Sequence, residues 1–295
     1  LKFVGLTATP YRTKGGLIVG DDQQLSEIVY EVGIKELIAK GYLSKLRSKG
    51  SKEPIDLTGV KVVAGEYTES SLEAILNDDI KVKEAVAEVV RLTADRKSIL
   101  LFACSVEHAK SVKREIETQT GQACGIVLGE TSDEDREEYI EAFKSGLIRW
   151  LVNVQVLTEG FDATSIDCVV LLRPTMSPGL YYQMVGRGFR LNASKQDCLI
   201  VDMANVIQDH GPIDRIRVPG KSKPTKKETL LKKCKACQEH NEIWVKVCTA
   251  CGEEFAASER ELRHGTSASG SSIVSDEEPV WHDVKEVRYS LHPPK

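Results

Sequence analysis

The sequence predicts an α/β fold in which residues 58–205 form one doubly wound parallel sheet. Five short apolar runs, of four or five residues each, alternate with longer stretches of helical periodicity. Continuous apolar runs of this length are typical of strands that are buried on both faces. Their alternation with helices predicts a sheet covered by helices on both sides. The five runs are Ile99–Ala103, Gly125–Leu128, Trp150–Val154, Cys168–Leu172 and Cys198–Val201.

Three helices are predicted between or before these strands. Val82, Val86, Val89 and Val90 form one apolar stripe at helical spacing. Residues 106–117 and 134–145 have the length and charge of surface helices. The segment Thr131-Ser-Asp-Glu134 has the pattern of a capping box, which would begin the last of the three helices.

The first 57 residues are predicted to lie outside this domain. LKFVGLTATP is an apolar strand stopped by Pro10, with Thr7 and Thr9 at its end. Because no preceding residues supply partner strands, we expect residues 1–12 to end a further, truncated α/β domain. Residues 13–57 are predicted to be a connector of otherwise loose chain with one helix, Ile34–Lys40, that Gly41 ends.

The residues after the sheet carry an uneven charge. The whole chain has a net charge of −4, but residues 215–235 contain nine lysines or arginines and one acid. Residues 206–233 are predicted to be a basic linker that is either simply solvated or contacts phosphates. Residues 257–278 have the composition of a flexible linker, and residues 279–295, which begin with an alternating, strand-like pattern, are expected to start a further, truncated module. The lysines of the linker with the clearest clustering are Lys221, Lys223, Lys226 and Lys227.

Four of the eight cysteines form two CxxC pairs, Cys234/Cys237 and Cys248/Cys251, with ten residues between the pairs. Two such knuckles predict a closed tetrahedral Cys₄ zinc site in residues 234–256, whose metal supplies the folding energy of a very small module. A redox-active CxxC is the alternative, but it normally occurs as a single pair. Trp244, between the knuckles, either packs against them or stacks on a base.

The remaining cysteines, Cys104, Cys124, Cys168 and Cys198, are predicted to be small core residues. No secretion signal or membrane-length apolar run is present, so a reducing, cytoplasmic environment is expected.

Residues 158–190 contain the strongest functional pattern. A loop with Gly160 and Asp162 follows an apolar strand, and Gln183, Arg187 and Arg190 recur at i, i+4 and i+7, which predicts one helix face. Two arginines and an amide beside a glycine-acid loop favour a polyphosphate ligand. A solvated basic helix face is the alternative interpretation.

These segments together resemble the superfamily II helicases, and most closely the RadD-like group of DEAD/DEAH-type proteins. The resemblance covers about residues 1–255 and includes the CxxC pairs. It is carried in order by GLTATPYR (motif III), SILLFACSVEHAKSV (motif IV), VNVQVLTEGFD (motif V) and QMVGRGFR (motif VI).

The resemblance implies an ATP-driven motor, with Mg²⁺, that acts on DNA in repair, single-stranded or forked DNA being the expected partner. Residues 58–205 would be its second RecA-like domain. Arg190 would be the arginine finger, Arg187 a second γ-phosphate contact, and Gln183 a phosphate sensor. The nucleotide cleft would be lined by Thr158, Gly160 and Asp162, and the nucleotide state would be coupled to the strand by Thr7 and Thr9.

A motor also needs a phosphate-cradling GxxxxGK[ST] loop and an acidic pair for Mg²⁺. Gly15–Gly20 has the glycine spacing, but Asp21 and Asp22 follow it where Lys and Ser/Thr are required. Residues 1–295 alone are therefore predicted to be inactive. Two alternatives stay open: a motor subunit of a restriction system, and a non-catalytic nucleic-acid-binding module.

Overall fold

The computed structural model describes residues 4–7, 11–12, 16–20, 25–53, 55–158, 161–215 and 231–255. Twelve strands occur in these residues: β1 (Tyr11–Arg12), β2 (Gly16–Leu17), β3 (Lys45–Gly50), β4 (Val62–Val63), β5 (Glu66–Tyr67), β6 (Ile99–Phe102), β7 (Cys124–Val127), β8 (Trp150–Asn153), β9 (Cys168–Leu171), β10 (Asp197–Asp202), β11 (Leu231–Lys233) and β12 (His240–Glu242). The α-helices are α1 (Ile34–Ala39), α2 (Glu69–Leu76), α3 (Asp79–Leu92), α4 (Val106–Thr120), α5 (Asp133–Lys144), α6 (Pro178–Gly186) and α7 (Val206–His210).

Six of the strands form one parallel sheet in the order β3-β10-β9-β6-β8-β7. Every residue of β6, β8 and β9 is buried, as the continuous apolar runs predicted. One core cluster packs α3 and α4 against the sheet, and a second core cluster contains α5, α6 and α7. The doubly wound α/β prediction is therefore confirmed, with all five predicted strands present.

The helix starts follow from side-chain caps. Asp78 accepts hydrogen bonds from the amides of Ile80 and Lys81 at the start of α3, and Ser105 accepts one from the His108 amide at the start of α4. The predicted capping box at 131–134 was wrong by one residue. Ser132, not Thr131, caps α5, because the Thr131 hydroxyl accepts the Leu128 amide instead.

The edge strand β3 corrects the prediction that residues 13–57 are loose chain apart from one helix. The helix α1 is present, but residues 45–50 pair in parallel with all six positions of β10, from Lys45↔Asp197 to Gly50↔Asp202. The segment KLRSKG lacks an apolar run because, as a strand at the edge of the sheet, it buries only Gly50 fully and leaves its other five residues half-buried or exposed. Charged residues on an edge strand also disfavour pairing with another chain.

The four isolated cysteines are buried core residues, as predicted. Burial raises the pKa of the Cys104, Cys124 and Cys198 thiols to about 12. At neutral pH these groups are protonated and poor nucleophiles. Cys104 also lies 3.0 Å from Nδ1 of His108, whose pKa burial lowers to about 4.

Across the described part of the chain, no helix combines the length and the hydropathy that a membrane crossing requires.

Close packing requires a glycine at position 188 but not at position 186. A Cβ at Gly188 would lie 2.6 Å from Sγ of Cys198, whereas a Cβ at Gly186 would meet nothing within 4 Å. We expect Gly188→Ala to lower the free energy of unfolding by about 1–3 kcal/mol through overpacking. Gly186→Ala, the matched control, should raise it by up to about 1 kcal/mol, since alanine favours helix.

Urea unfolding followed by circular dichroism measures both changes. Cys198→Ala should partly rescue Gly188→Ala, because it removes the clashing sulfur. Equal stability of the two alanine variants would contradict this packing argument.

Candidate functional site

The site begins where the chain leaves β8. A short 3₁₀ turn covers Val156–Thr158, residues 159–160 lie outside the described residues, and Phe161 continues as a buried residue. Ser177 then caps the start of α6, and its hydroxyl accepts a hydrogen bond from the Leu180 amide at 3.2 Å. Pro178 lies in the first turn of the helix.

The predicted helix face is wrong at Arg190. The α-helix ends at Gly186, Arg187–Phe189 form a 3₁₀ turn, and Arg190 has extended backbone angles (φ −65°, ψ 138°). Gly186 and Gly188 are poor helix formers, which accounts for the early end of the helix. Close packing of Gly188 on Cys198, rather than backbone contact with a ligand, accounts for the second glycine.

The two arginines nevertheless converge on one carbonyl oxygen. Nη1 of Arg187 donates to the Phe161 oxygen at 2.7 Å, and Nη1 of Arg190 donates to the same oxygen at 2.6 Å. Arg190 also forms an ion pair of 3.0 Å with Asp162, whose side chain is 71% exposed. Two guanidinium groups therefore meet at one carbonyl oxygen beside the mostly exposed Asp162 carboxylate, an arrangement suited to a phosphate group.

The predicted residues are only partly brought together. Gln183 lies on α6 and its carbonyl oxygen is 3.4 Å from Nε of Arg187, while Thr7 lies in an exposed segment. The structure describes the backbone of Thr158 but not the burial of its side chain. The predicted site residues that lie outside the described residues are Thr9, Gly160, Lys221, Lys223, Lys226 and Lys227.

A carboxylate clamp at the start of α6 was not found from the sequence. Glu66, on the β4–β5 hairpin, accepts from the Thr175 hydroxyl (2.6 Å) and from the amides of Met176 (2.9 Å) and Ser177 (3.2 Å). On the other side, Nε2 of His210 lies 2.8 Å from the Thr175 oxygen, and the His210 ring stacks on Tyr181. The loop before α6 is thus held by two elements distant in sequence.

The four paired cysteines form one cluster, as the sequence predicted. Their sulfur atoms all lie within 4.8 Å of one another, with Cys234–Cys251 at 3.7 Å and Cys237–Cys248 at 3.6 Å. A tetrahedral ion with Zn–S bonds of about 2.3 Å places its sulfurs about 3.8 Å apart. A disulfide requires about 2.05 Å. The donor set therefore fits a metal and does not fit two disulfides.

Each knuckle closes by the same backbone geometry. Gln238 and Gly252, each following the second cysteine of a pair, have positive φ angles of 66° and 78°. Their amides donate to the carbonyl oxygens of Cys234 (2.9 Å) and Cys248 (3.0 Å). Glycine suits this left-handed position, whereas a glutamine there is uncommon and has to be stabilised by other contacts.

Those contacts dock the cysteine module on the edge of the sheet. Gln238 accepts from Arg91 and donates to Glu88, both at 2.7 Å, and its carbonyl oxygen accepts from the Gly50 amide at 3.0 Å. Glu239 is bound in bidentate fashion by Arg47 (3.1 and 3.3 Å). The hydrogen bond with Glu239 raises the pKa of Arg47. The module therefore covers the free side of β3.

Residues 81–192 match the family model described as the helicase conserved C-terminal domain. The chain is 33% identical over 181 residues to a candidate ATP-dependent helicase, IRC3, of Saccharomyces cerevisiae, covering 60% of this chain and 26% of that protein. It is 35% identical over 210 residues to a candidate mitochondrial ATP-dependent helicase, irc3, of Schizosaccharomyces pombe, with coverages of 70% and 33%. The chain thus spans about a quarter to a third of the length of these relatives.

Among solved structures, a fragment of a candidate HsdR subunit of a type I restriction enzyme from Vibrio vulnificus YJ016 superposes with a TM-score of 0.51. The two are 20% identical, and the match covers 64% of this chain and 38% of that one. At this identity the likeness concerns the fold alone. The family match identifies residues 81–192 as a helicase conserved C-terminal domain, and the RecA-like parallel sheet and the order of motifs IV to VI are consistent with the superfamily II helicases.

Proposed function

We propose that the intact protein is an ATP-dependent DNA helicase or translocase of the RadD-like type, acting in DNA repair. The observation that carries the catalytic part is the convergence of Arg187 and Arg190 on the Phe161 carbonyl oxygen. A non-catalytic binding module has no need for two guanidinium groups at one point beside a mostly exposed carboxylate.

The chemistry favours ATP hydrolysis across a domain cleft. Phosphoryl transfer spreads negative charge over the equatorial oxygens of the γ-phosphate, and an arginine neutralises that charge. In this arrangement Arg190 is held by the exposed Asp162 carboxylate and by the neutral Phe161 carbonyl oxygen, and a phosphate replaces these partners. Arg187, with a second bond to the same carbonyl, is the second contact, and Gln183 senses the phosphate from the preceding helical turn.

The remaining groups complete the proposal. Thr158, Gly160 and Asp162 line the nucleotide cleft, and Thr7 and Thr9 couple nucleotide state to the bound strand. ATP and Mg²⁺ are held mainly by a partner domain with a GxxxxGK[ST] loop. Zn²⁺ occupies the cysteine cluster, where it acts structurally. The zinc module and the basic linker contact DNA, with single-stranded or forked DNA as the substrate.

The arginine-finger prediction is made for the full-length protein. Arg190→Ala should leave ATP binding nearly unchanged and lower ATP turnover by about 10³-fold or more, because it removes charge stabilisation specific to the transition state. Arg187→Ala should act in the same direction. Steady-state phosphate release and equilibrium nucleotide binding are the measurements.

Arg114→Ala is the matched control, since Arg114 is an exposed arginine of α4 whose ion pair with Asp79 is long, at 3.5 Å. It should turn over ATP like the wild type. Turnover of the Arg190→Ala and Arg187→Ala variants at the control level would show that these arginines do not face the nucleotide.

The zinc prediction is one Zn²⁺ per chain, lost on Cys248→Ala but kept on Cys124→Ala. Because the module docks on β3, metal removal by a chelator should also expose the Gly50 amide, which donates to Gln238. Amides of β9, paired on both sides, should stay protected. Elemental analysis and amide hydrogen exchange measure these effects. A full complement of metal in the Cys248→Ala protein would refute this assignment.

The linker prediction concerns the salt dependence of DNA binding. Replacing Lys221, Lys223, Lys226 and Lys227 by glutamine should weaken binding and flatten the log–log salt slope by about 0.7 per lost contact on single strands, or about 0.9 on duplex. A control with four ion-paired lysines replaced instead should keep the slope: Lys35, Lys40, Lys110 and Lys144. Equal slopes in the two variants would leave the linker as a solvated segment.

A further inference from the structure

Arg173 is a buried cation to which the described residues supply no carboxylate partner. It follows β9 and is only 6% exposed. Its Nη1 and Nη2 atoms donate to the side-chain oxygen of Gln155, the latter at 2.9 Å, in the amide orientation that this hydrogen bonding requires. Its Nε is buried and has no hydrogen-bond partner. Among the described residues, no carboxylate lies within ion-pair distance of this guanidinium.

This arrangement is energetically unfavourable unless an anion binds there. An arginine cannot lose its charge in a protein, and a buried charge needs a counter-charge or a full set of hydrogen bonds. Arg96, whose side chain is 10% exposed, illustrates the usual solution, because it pairs with Asp197 at 2.5 Å. A neutral amide oxygen is a much weaker partner for Arg173 than such a carboxylate.

The position of Arg173 is one where ligands bind in open α/β sheets. Phe102 is in register with both Leu171 of β9 and Asn153 of β8. Continuing that register by two residues puts Arg173 and Gln155 on either side of Cys104, at the carboxyl ends of three adjacent central strands. The crevice outside these ends is the usual ligand site of such sheets. The positive end of α4, which starts at Val106, lies beside it.

Gln155 forms the outer cover of this guanidinium. It is an exposed residue with a φ angle of 58°, in the left-handed region that residues other than glycine seldom adopt. Backbone strain of this kind persists where the surroundings impose it, and it concentrates at ligand sites. An anion that replaced the Gln155 oxygen would accept hydrogen bonds from both Nη1 and Nη2.

This site is separate from the paired arginines. Arg173 lies at the carboxyl end of β9, four residues before the cap of α6. Gly188, at the far end of α6, packs on Cys198 near the start of β10, and Lys195 bonds the carbonyl oxygens of both Gly188 and Ile166. The nine residues of α6 span about 13 Å between the two ends. The two sites therefore lie at opposite ends of α6.

We propose that Arg173 binds a backbone phosphodiester of the nucleic-acid strand, with Gln155 as the neutral group that this phosphate replaces. The inference rests on the proposed motor function and adds a strand contact that motifs III to VI do not supply through their arginines. The planar fork of arginine suits bidentate binding of phosphate oxygens. The separation from Arg187 and Arg190 favours a strand phosphate over the γ-phosphate of ATP.

The test uses Gln155→Glu in the full-length protein. A glutamate at this exposed position supplies the missing carboxylate to Arg173 and repels an incoming phosphate. We expect a higher melting temperature together with about tenfold or greater loss of affinity for a labelled single-stranded oligonucleotide. The log–log salt slope should fall by about 0.7, as for one lost phosphate contact. A purely structural role predicts no loss of strand affinity when the protein is stabilised.

Gln196→Glu is the matched control, because it makes the same charge change at an exposed residue beside the amino end of β10. Arg173→Lys keeps the charge but loses the fork, and it should also weaken strand binding. If Gln155→Glu had the same strand affinity and the same salt slope as Gln196→Glu, the proposal would be overturned. Loss of nucleotide affinity without loss of strand affinity would overturn it too, since the anion would then belong to ATP. Normal turnover of Arg190→Ala would instead count against the proposed function alone.

Discussion

The burial of the central strands on both faces is the constraint on which the rest of the structure depends. Because β6, β8 and β9 are covered by helices on each side, polar chemistry is confined to the loops at the strand ends and to the sheet edges. The groups that we propose to be functional are found there: the arginines after α6, the clamp before it, Arg173 beyond β9 and the cysteine module on β3. The apolar sheet positions these groups but contributes no reactive side chain itself.

The arginine pair after α6 and Arg173 both donate hydrogen bonds to neutral oxygens, which are weaker partners for a guanidinium group than a phosphate. Arg187 and Arg190 both donate to the Phe161 carbonyl oxygen. Two donors of Arg173, Nη1 and Nη2, both donate to the side-chain oxygen of Gln155. In both places a guanidinium group donates to a neutral oxygen that we propose a phosphate replaces, and Arg190 has in addition its ion pair with the exposed Asp162 carboxylate. The cysteine module shows the opposite case. Glu239 is almost buried and fully engaged by Arg47, which makes the docking of that module a structural contact rather than a vacant site.

Much of this fold could be predicted from the sequence, because buried strands and CxxC pairs are local signals. β3 could not, since KLRSKG is polar and becomes a strand only through its pairing with β10. Arg190 was placed on a helix because a spacing of i+7 ignores the glycines that end α6 early. Glu66 and Arg173 could not be singled out at all, because their importance lies in contacts with loops far along the chain. Residues whose placement is not described, among them Gly160 and the four linker lysines, stay predictions.

The two anchored ends of α6 have a mechanical consequence. Glu66 and His210 fix the loop at one end, and the bonds to Phe161 fix the turn at the other. A two-and-a-half-turn helix is stiff along its axis, since shortening it means breaking its internal hydrogen bonds. The separation of Thr175 and Arg187 along that axis is therefore expected to stay nearly constant. One stiff helix thus connects the end of the sheet where Arg173 lies with the place where Arg187 and Arg190 meet.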